Sequence, residues 1–183
     1  AAKALDILVS NVPDYGTQVV SQMAIALMLE ACNNVGKHSH SVRQNNWKLS
    51  KDWCFWEDEI IEINNKTAGI IGYGNIGKRT AKIFNAFGMR VLATTVSTNE
   101  KSTEEIQIVD YETLYAQSDF IFLHCPHTKQ TEYMINSKSI EKMKDGVILI
   151  NNSRGKLVNN EDLYQALKTR KIRVAACDVL DGE

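Results

Sequence analysis

A glycine-rich stretch constrains the fold of this chain more than any other feature of its sequence. Residues 67–79 place Gly72, Gly74 and Gly77 in the pattern G-x-G-x-x-G, between an apolar run and a stretch, 78–87, that is predicted to be helical. In a dinucleotide-binding unit the first glycine permits a tight turn, the second lets the backbone approach a pyrophosphate, and the third lets the helix pack against the strand. The start of that helix then offers free N–H groups to phosphate. An ordinary β–α turn without a ligand is the alternative interpretation.

The composition is typical of a soluble globular protein. The 183 residues are 44% apolar and 23% charged, and the formal net charge of −1 gives no support to nucleic acid or a membrane surface as a partner. The four cysteines are far apart and form no C-x-x-C pair, so a reduced, cytoplasmic setting is the simpler interpretation. The chain begins without methionine and stops directly after a strand-like run, so we expect a domain taken from a longer protein.

The part of the chain before the glycine motif begins with a predicted strand and a predicted apolar helix. Residues 6–9 predict a short strand. Thr17 can cap a helix that is expected to run to about Lys37. Apolar residues occupy most faces of this helix, which indicates burial in a core or at an oligomer interface.

An aromatic segment, residues 38–66, follows this helix. All three tryptophans lie within residues 47–56, among polar side chains, and we expect them to pack on a neighbour. A metal site at His38 and His40 is disfavoured because no cysteine or carboxylate stands at ligand spacing. The segment 17–66 therefore predicts a homodimer interface, with contact to another domain as the alternative.

Beyond the glycine motif, strand-like and helix-like segments alternate to the end of the chain. Strands are predicted over 90–96, 107–109, 120–124, 147–150 and 172–179, and helix caps at Asp110, Ser137 and Asn159. Nearly continuous apolar strands separated by helices indicate a parallel sheet covered on both faces. The predicted fold is therefore α/β: a Rossmann-type doubly wound parallel sheet in three layers, forming one dinucleotide-binding domain over residues 1–183.

The carboxyl ends of the strands should converge on one crevice, where open α/β sheets bind ligands. At one of these ends Arg154 could bind a carboxylate with two hydrogen bonds, although a plain surface arginine is the alternative. At another, Thr95 stands where an NAD-binding unit usually carries an acid, about 20 residues past the glycines. A neutral hydroxyl does not repel a 2′-phosphate, so we expect NAD or NADP as cofactor, with NADPH accepted. Lys101 is the nearest cation in the sequence.

Five motifs, taken together, are far more specific than the glycine loop alone. They are Asn-Val-Pro-Asp-Tyr-Gly-Thr at 11–17, Gly-Ile-Ile-Gly-Tyr-Gly-Asn-Ile-Gly at 69–77, His-Cys-Pro-His-Thr-Lys-Gln-Thr at 124–131, Ile-Asn-Asn-Ser-Arg-Gly at 150–155 and Cys-Asp-Val-Leu-Asp-Gly-Glu at 177–183. In these motifs the chain resembles the nucleotide-binding domain of the D-isomer-specific 2-hydroxyacid dehydrogenases over nearly its whole length. Residues 52–56 are similar to the glycerate dehydrogenase (hydroxypyruvate reductase) branch.

The resemblance implies hydride transfer between a nicotinamide cofactor and a D-2-hydroxy acid or 2-oxo acid, with glycerate and hydroxypyruvate as the expected pair. Arg154 would hold the carboxylate and carbonyl oxygen of the 2-oxo acid, and Glu183 would pair with a catalytic histidine and raise its pKa. Further residues would contact the cofactor: Gly72, Gly74, Asn75, Ile76 and Gly77 at the pyrophosphate, Thr95, Cys125, Pro126 and Thr131 at the adenosine and ribose, and Asn152, Ser153 and Asp178 near the nicotinamide.

Two parts of the family pattern, the catalytic histidine and the substrate domain, are not found in these 183 residues. The family's catalytic histidine follows the glutamate and its substrate domain comes mainly from flanking residues, so we expect this chain to bind nucleotide with little or no turnover. The histidines at 38, 40, 124 and 127 do not stand at the expected position. Two other functions stay open: a nucleotide-sensing interaction protein similar to the C-terminal-binding corepressors, and a formate dehydrogenase of the same fold.

Overall fold

A six-stranded parallel sheet lies at the centre of the computed structural model, which describes residues 2–97 and 99–182. The strands are β1 Thr67–Ile71, β2 Arg90–Thr94, β3 Ile106–Ile108, β4 Phe120–Leu123, β5 Val147–Asn151 and β6 Ile172–Cys177. They run in the order β3-β2-β1-β4-β5-β6, and every neighbouring pair is parallel. The predicted doubly wound sheet is therefore confirmed. The strand order reverses between β1 and β4, which is where such sheets form a ligand-binding crevice.

Helices cover both faces of the sheet. They are α1 Gly16–Asn33, α2 Val35–Arg43, α3 Asn46–Leu49, α4 Asn75–Ala86, α5 Tyr111–Gln117, α6 Ser137–Glu141 and α7 Asn160–Lys168, with short 3-10 turns at Ala2–Leu5 and Gly155–Leu157. Helices α1 and α4 pack on one face, and α5, α6 and α7 pack on the other. None of the helices in the described ranges has the length and apolar character that a membrane crossing requires.

Strand β4 shows how the sequence builds the three layers. Phe120 and Phe122 point into the core beneath α1 and α4, while Ile121 and Leu123 point into the core beneath α5 to α7. All four side chains are at most 1% exposed. Successive side chains of a strand point to opposite faces, so an apolar run can be buried on both sides only within a covered sheet.

The predicted strand over residues 6–9 is wrong. A 3-10 turn, Ala2–Leu5, is followed by extended chain that no strand of the described residues pairs with. The side chains of Ile7, Leu8 and Val9 are all exposed. Without a neighbouring strand to satisfy its N–H and C=O groups, an apolar run of this length forms no regular structure.

The first long helix differs from its prediction at both ends. It begins at Gly16, and Thr17 lies inside it, where its hydroxyl donates to the carboxylate of Asp14 instead of capping the helix. It ends at Asn33 and not near Lys37, because Asn34 adopts a left-handed conformation with φ of 50°. Asparagine tolerates this conformation better than most residues. The chain then restarts as α2.

The later boundaries follow the predictions with small shifts. The predicted caps Asp110 and Asn159 are confirmed, and each accepts a backbone N–H from its own helix, at 2.7 and 3.0 Å. The cap of α6 is Asn136 instead of Ser137. Strands β2 and β6 end at Thr94 and Cys177, two residues earlier than predicted.

The aromatic segment lies outside the sheet and is largely exposed. Trp47, Trp53 and Trp56 are 52%, 93% and 61% exposed in the single chain. His38 is held in place within this segment: its Nε2 lies 3.0 Å from the backbone nitrogen of Glu57 and its Nδ1 lies 3.1 Å from the carbonyl oxygen of Asn33. Packing of the tryptophans on a neighbour stays a prediction.

Candidate functional site

A cavity of about 960 Å³ opens at the carboxyl edge of the sheet. Its walls come from the glycine loop, the loop after β2, helix α5 and the loop after β4. This is the size of a pocket for a large ligand, at the place where an open α/β sheet binds one. Another cavity, of about 460 Å³, lies beside Arg170 and Arg173, near the amino ends of the strands and away from their carboxyl ends.

Two glycines of the loop are needed by the fold itself. Gly72 has a φ of +105°, and a Cβ there would lie 2.6 Å from the backbone of His124. A Cβ on Gly77 would lie 2.2 Å from the carbonyl oxygen of Gly72, so only glycine lets α4 pack this closely against the turn. These two positions fix the path of the chain from β1 into α4.

Gly74 differs because the protein leaves space around it. A Cβ at this position would meet no described atom within 4 Å, and its φ of −87° suits any residue. Gly74 lines the cavity, so a side chain at this position would reduce the space that is open to a ligand. Helix α4 starts directly after it, and its first intrahelical bond runs from the Lys78 N–H to the Gly74 carbonyl oxygen. The N–H groups of the first turn, at residues 75–77, are therefore available to an anion.

The predicted cofactor residues fall into three groups. The cavity is lined by seven of them: Gly72, Gly74, Asn75, Thr95, Cys125, Pro126 and Thr131. Ile76 and Gly77 lie next to it in the first turn of α4 but do not line it. The remaining three, Asn152, Ser153 and Asp178, lie at the ends of β5 and β6, outside the cavity wall.

The residues after β5 are held by hydrogen bonds to distant parts of the chain. The Asn152 side-chain amide donates to the carbonyl oxygen of Val20 in α1 at 2.8 Å. The hydroxyl of Ser153 donates to the carbonyl oxygen of Cys125, a cavity residue, at 2.8 Å. These contacts attach the loop after β5 both to helix α1 and to the wall of the cavity.

Arg154 lies in a smaller depression of about 320 Å³ that also has Ser153 and His127 in its wall. Its guanidinium is exposed and donates to the carbonyl oxygen of Ser153 at 2.6 Å. The chain around residue 180 crosses so close to Gly155 that a Cβ there would lie 2.1 Å from the backbone of Leu180. A fixed cation in an open depression suits a carboxylate ligand. The other predicted catalytic residue, Glu183, lies outside the described residues.

The sequence matches a known family over most of its length. Residues 25–183 match the family described as D-isomer specific 2-hydroxyacid dehydrogenase, NAD binding domain. The chain belongs to this family. Its resemblance to that family, inferred above from five motifs, is confirmed, and so is the expected class of cofactor.

Relatives of this NAD-binding domain are longer proteins. The chain is 47% identical over all 183 residues to a hydroxypyruvate reductase of Blautia hydrogenotrophica, and covers 57% of that protein. It is 40% identical to a glycerate dehydrogenase of Methylorubrum extorquens, and covers 56% of it. The chain thus spans a little over half the length of these curated relatives.

Solved structures share the fold of the domain and differ in their cofactors. A D-lactate dehydrogenase with NAD⁺ from Lactobacillus jensenii has a TM-score of 0.82 and 34% identity, with 99% of this chain and 53% of that chain covered. An acyclic imino acid reductase in complex with NADPH and D-Arg has a TM-score of 0.83 and 34% identity, with 100% and 57% covered.

Side chains in the cavity wall of the NAD-binding domain are uncharged where they are most enclosed. Burial lowers the pKa of His124 from its ordinary 6.5 to about 4, so its imidazole is neutral at pH 7. Its Nε2 lies 3.1 Å from the hydroxyl oxygen of Thr80, while its Nδ1 is enclosed and has no partner within the described part of the chain. Burial also raises the pKa of the Cys125 thiol, which keeps it protonated and unreactive.

The cavity wall contains an ion pair that was not predicted from the sequence. The ammonium of Lys78 lies 2.6 Å from a carboxylate oxygen of Glu100 and 5.6 Å from the centre of the Tyr73 ring. All three residues line the cavity. Lys78 directly follows the last motif glycine, so its place at the start of α4 could have been read from the sequence. Its pairing with Glu100 depends on the path of the loop after β2, which the sequence pattern does not reveal.

Proposed function

We propose that this chain is the cofactor domain of an NAD- or NADP-dependent dehydrogenase that interconverts a D-2-hydroxy acid and its 2-oxo acid. The observation that carries the proposal is the junction between the large cavity and the Arg154 depression, which the Ser153 hydroxyl bridges by its bond to the Cys125 carbonyl. A dinucleotide site would thus adjoin a carboxylate site. The names of the two curated relatives favour glycerate and hydroxypyruvate as the substrate pair.

The residues of this chain would bind and orient both reactants. The nicotinamide, when bound, supplies the hydride. The glycine loop with Asn75 and Ile76 would hold the pyrophosphate at the N-terminus of α4, whose dipole favours an anion. Arg154 would bind the substrate carboxylate and polarise the carbonyl oxygen that receives negative charge. The other proposed cofactor contacts are Thr95, Cys125, Pro126 and Thr131 on the adenosine and ribose side, and Asn152, Ser153 and Asp178 near the nicotinamide.

The reaction also needs a proton donor with a pKa near neutrality, a role that suits a histidine backed by a carboxylate. Glu183 is our proposed carboxylate partner. His124 does not suit the role, because its pKa is lowered to about 4 and it is turned towards Thr80. We therefore expect the 183-residue chain to bind nucleotide with little or no turnover of hydroxypyruvate.

The substitution Gly74→Ala tests nucleotide binding without disturbing the fold. The added methyl group meets no described protein atom within 4 Å, and Gly74 lines the cavity in which the pyrophosphate is proposed to bind. We expect the dissociation constant for NADH, measured by fluorescence titration, to rise by about tenfold or more, since a steric misfit costs about 1–3 kcal/mol. Because Gly74 is the N-cap of α4 and alanine caps less well than glycine, the melting temperature should fall by only about 2–4 °C.

Gly16→Ala is the matched control for this experiment. A Cβ at Gly16 makes only an ordinary contact, 3.8 Å from Val20, and this position lies outside the cavity wall. It should leave both the melting temperature and NADH binding unchanged. Equal NADH affinity in the unmodified chain and in Gly74→Ala would contradict the proposed site.

We also propose that the protein is a cytoplasmic homodimer assembled through the segment 17–66. Large apolar side chains of this segment are exposed in the single chain, among them Val19, Trp47 and Trp53. A patch of this kind is typical of a protein–protein contact. The cytoplasmic location rests on the four cysteines, all free, which suit a reducing compartment.

A further inference from the structure

The ion pair between Lys78 and Glu100 joins two parts of the cavity wall. Lys78 extends from the first turn of α4, and Glu100 comes from the loop after β2. The two side chains are 46% and 26% exposed, so a ligand in the cavity can reach the charged groups. Only one carboxylate oxygen of Glu100, Oε1, is engaged by a side chain within residues 2–97 and 99–182.

The pair lies where the adenosine ribose of a bound dinucleotide is expected. In folds of this kind the ribose hydroxyls are bound just beyond the end of β2, usually by a carboxylate at the strand end. Here Thr95 occupies that place, and its hydroxyl oxygen accepts the backbone N–H of Ser97 at 3.1 Å. Within residues 2–97 and 99–182 the hydroxyl hydrogen of Thr95 has no acceptor, so it can donate to a ligand. The carboxylate of this region is supplied instead by Glu100, with an ammonium bound to it.

We propose that Lys78 and Glu100 together recognise the 2′ position of the adenosine ribose, so that the site accepts both NADH and NADPH. With NADH, the Glu100 carboxylate accepts a hydrogen bond from the 2′-hydroxyl. With NADPH, the 2′-phosphate binds the ammonium of Lys78 while that ammonium stays paired with Glu100, and it accepts a hydrogen bond from the Thr95 hydroxyl. A lone carboxylate would repel that phosphate, whereas a paired one presents no net charge. This inference rests on the proposed function, because it takes a nicotinamide dinucleotide as the ligand.

Opposite charge changes at the two residues provide the test. Dissociation constants for NADH and NADPH are measured by fluorescence titration on the full chain and its variants. Glu100→Gln should shift the affinity ratio towards NADPH by about tenfold, because it removes a negative charge beside the phosphate and an acceptor for the hydroxyl. Lys78→Gln should shift the ratio towards NADH by about the same factor.

Salt dependence gives a second measurement. Raising the sodium chloride concentration should weaken NADPH binding more than NADH binding in the unmodified chain, since salt screens the contact between phosphate and ammonium. In Lys78→Gln this difference should be smaller.

The matched controls are Glu59→Gln and Lys171→Gln. Glu59 is paired with Arg173 and Lys171 with Asp145, and both pairs lie outside the cavity wall. Both controls should keep the affinity ratio of the unmodified chain.

The outcomes separate this inference from the proposed function. Opposite shifts of the affinity ratio in the two variants support the inference. A change below about twofold, or a shift in the same direction in both variants, overturns it while leaving nucleotide binding intact. Failure of the folded, unmodified chain to bind either nucleotide would overturn the proposed function and this inference together.

Discussion

One buried histidine contributes to the pH dependence of the stability of this domain. The ring of His124 lies between the end of β4 and α4. Its Nε2 contacts the Thr80 hydroxyl, and the centres of the His124 and Phe122 rings are 6.4 Å apart. Burial lowers its folded-state pKa to about 4, below the ordinary value of 6.5. Between these two values the unfolded chain binds a proton that the folded chain does not bind, so the free energy of unfolding decreases as the pH falls from 6.5 to 4.

The substitution His124→Gln should remove part of this pH dependence. Glutamine can still donate to Thr80 but does not titrate. Between pH 7 and pH 5 we expect the unmodified chain to lose on the order of 1–2 kcal/mol more unfolding free energy than the variant. Urea unfolding at the two pH values measures the difference. Carboxylates titrate alike in both proteins, so parallel losses would show that His124 is not responsible.

Individual site residues were predictable to the extent that the sheet positions them. Thr95 and Cys125 were expected at one cavity because each follows a parallel strand, and strand ends of a parallel sheet meet at one edge. Lys78 and Glu100 were not expected there, although both line the same wall. Their contact depends on side-chain rotamers and on a loop, neither of which has a periodic signal in the sequence.

The helix ends were harder to predict than the helices. Beyond residue 33 and up to Lys37, only Val35 continues the apolar spacing of α1, so this spacing alone does not define where the helix ends. The break depends on local contacts instead: Asn34 turns left-handed, and the Glu30 carboxylate accepts the backbone N–H of Gly36 at 3.1 Å. Helix α6 has two adjacent residues that can both act as caps, and only the contacts distinguish them.

The cap of α6 can be tested directly. The side-chain oxygen of Asn136 accepts backbone N–H groups of Lys138 and Ser139 at 3.0 and 3.3 Å, and the Ser139 hydroxyl accepts the Asn136 N–H at 2.9 Å. Asn136→Ala should therefore lower the free energy of unfolding by about 1–2 kcal/mol. Ser137→Ala, the control at the residue that the sequence suggested, should change it by less than about 0.5 kcal/mol. Urea unfolding of the two variants gives the comparison, and equal losses would contradict the assignment of the cap.

At the scale of the whole molecule, the architecture could be predicted because the order of its strands and helices and the placement of its apolar residues are both regular in the sequence. Alternating strands and helices specified a parallel sheet, and apolar runs such as β4 required cover on both faces. The chain from residue 2 to 15 did not follow its pattern, since Leu8 and its neighbours are apolar yet exposed. Apolar character alone does not specify what a segment packs against.

The proposed homodimer predicts a mass of about twice 20.6 kDa for the chain in solution. Trp53→Glu should weaken the association by about tenfold or more, because exposed tryptophans at interfaces often contribute about 2 kcal/mol or more. Tyr164→Glu is the control, since Tyr164 is an exposed aromatic residue on α7, outside the segment 17–66. Light scattering across a concentration series measures both. A constant mass of 20.6 kDa for the unmodified chain would contradict the dimer.

The central position of β1 affects how the protein is synthesised. β1 leaves the ribosome before either of its neighbours, since β2 follows roughly 20 residues later and β4 roughly 50. At about 5–20 residues per second, β4 is made roughly 3–10 seconds after β1. In that interval one edge of β1 has no neighbouring strand, although all of its residues are buried in the folded chain. Unpaired strand edges can bind other chains. The nascent chain is therefore open to aggregation through this edge from the time β1 emerges until β4 emerges.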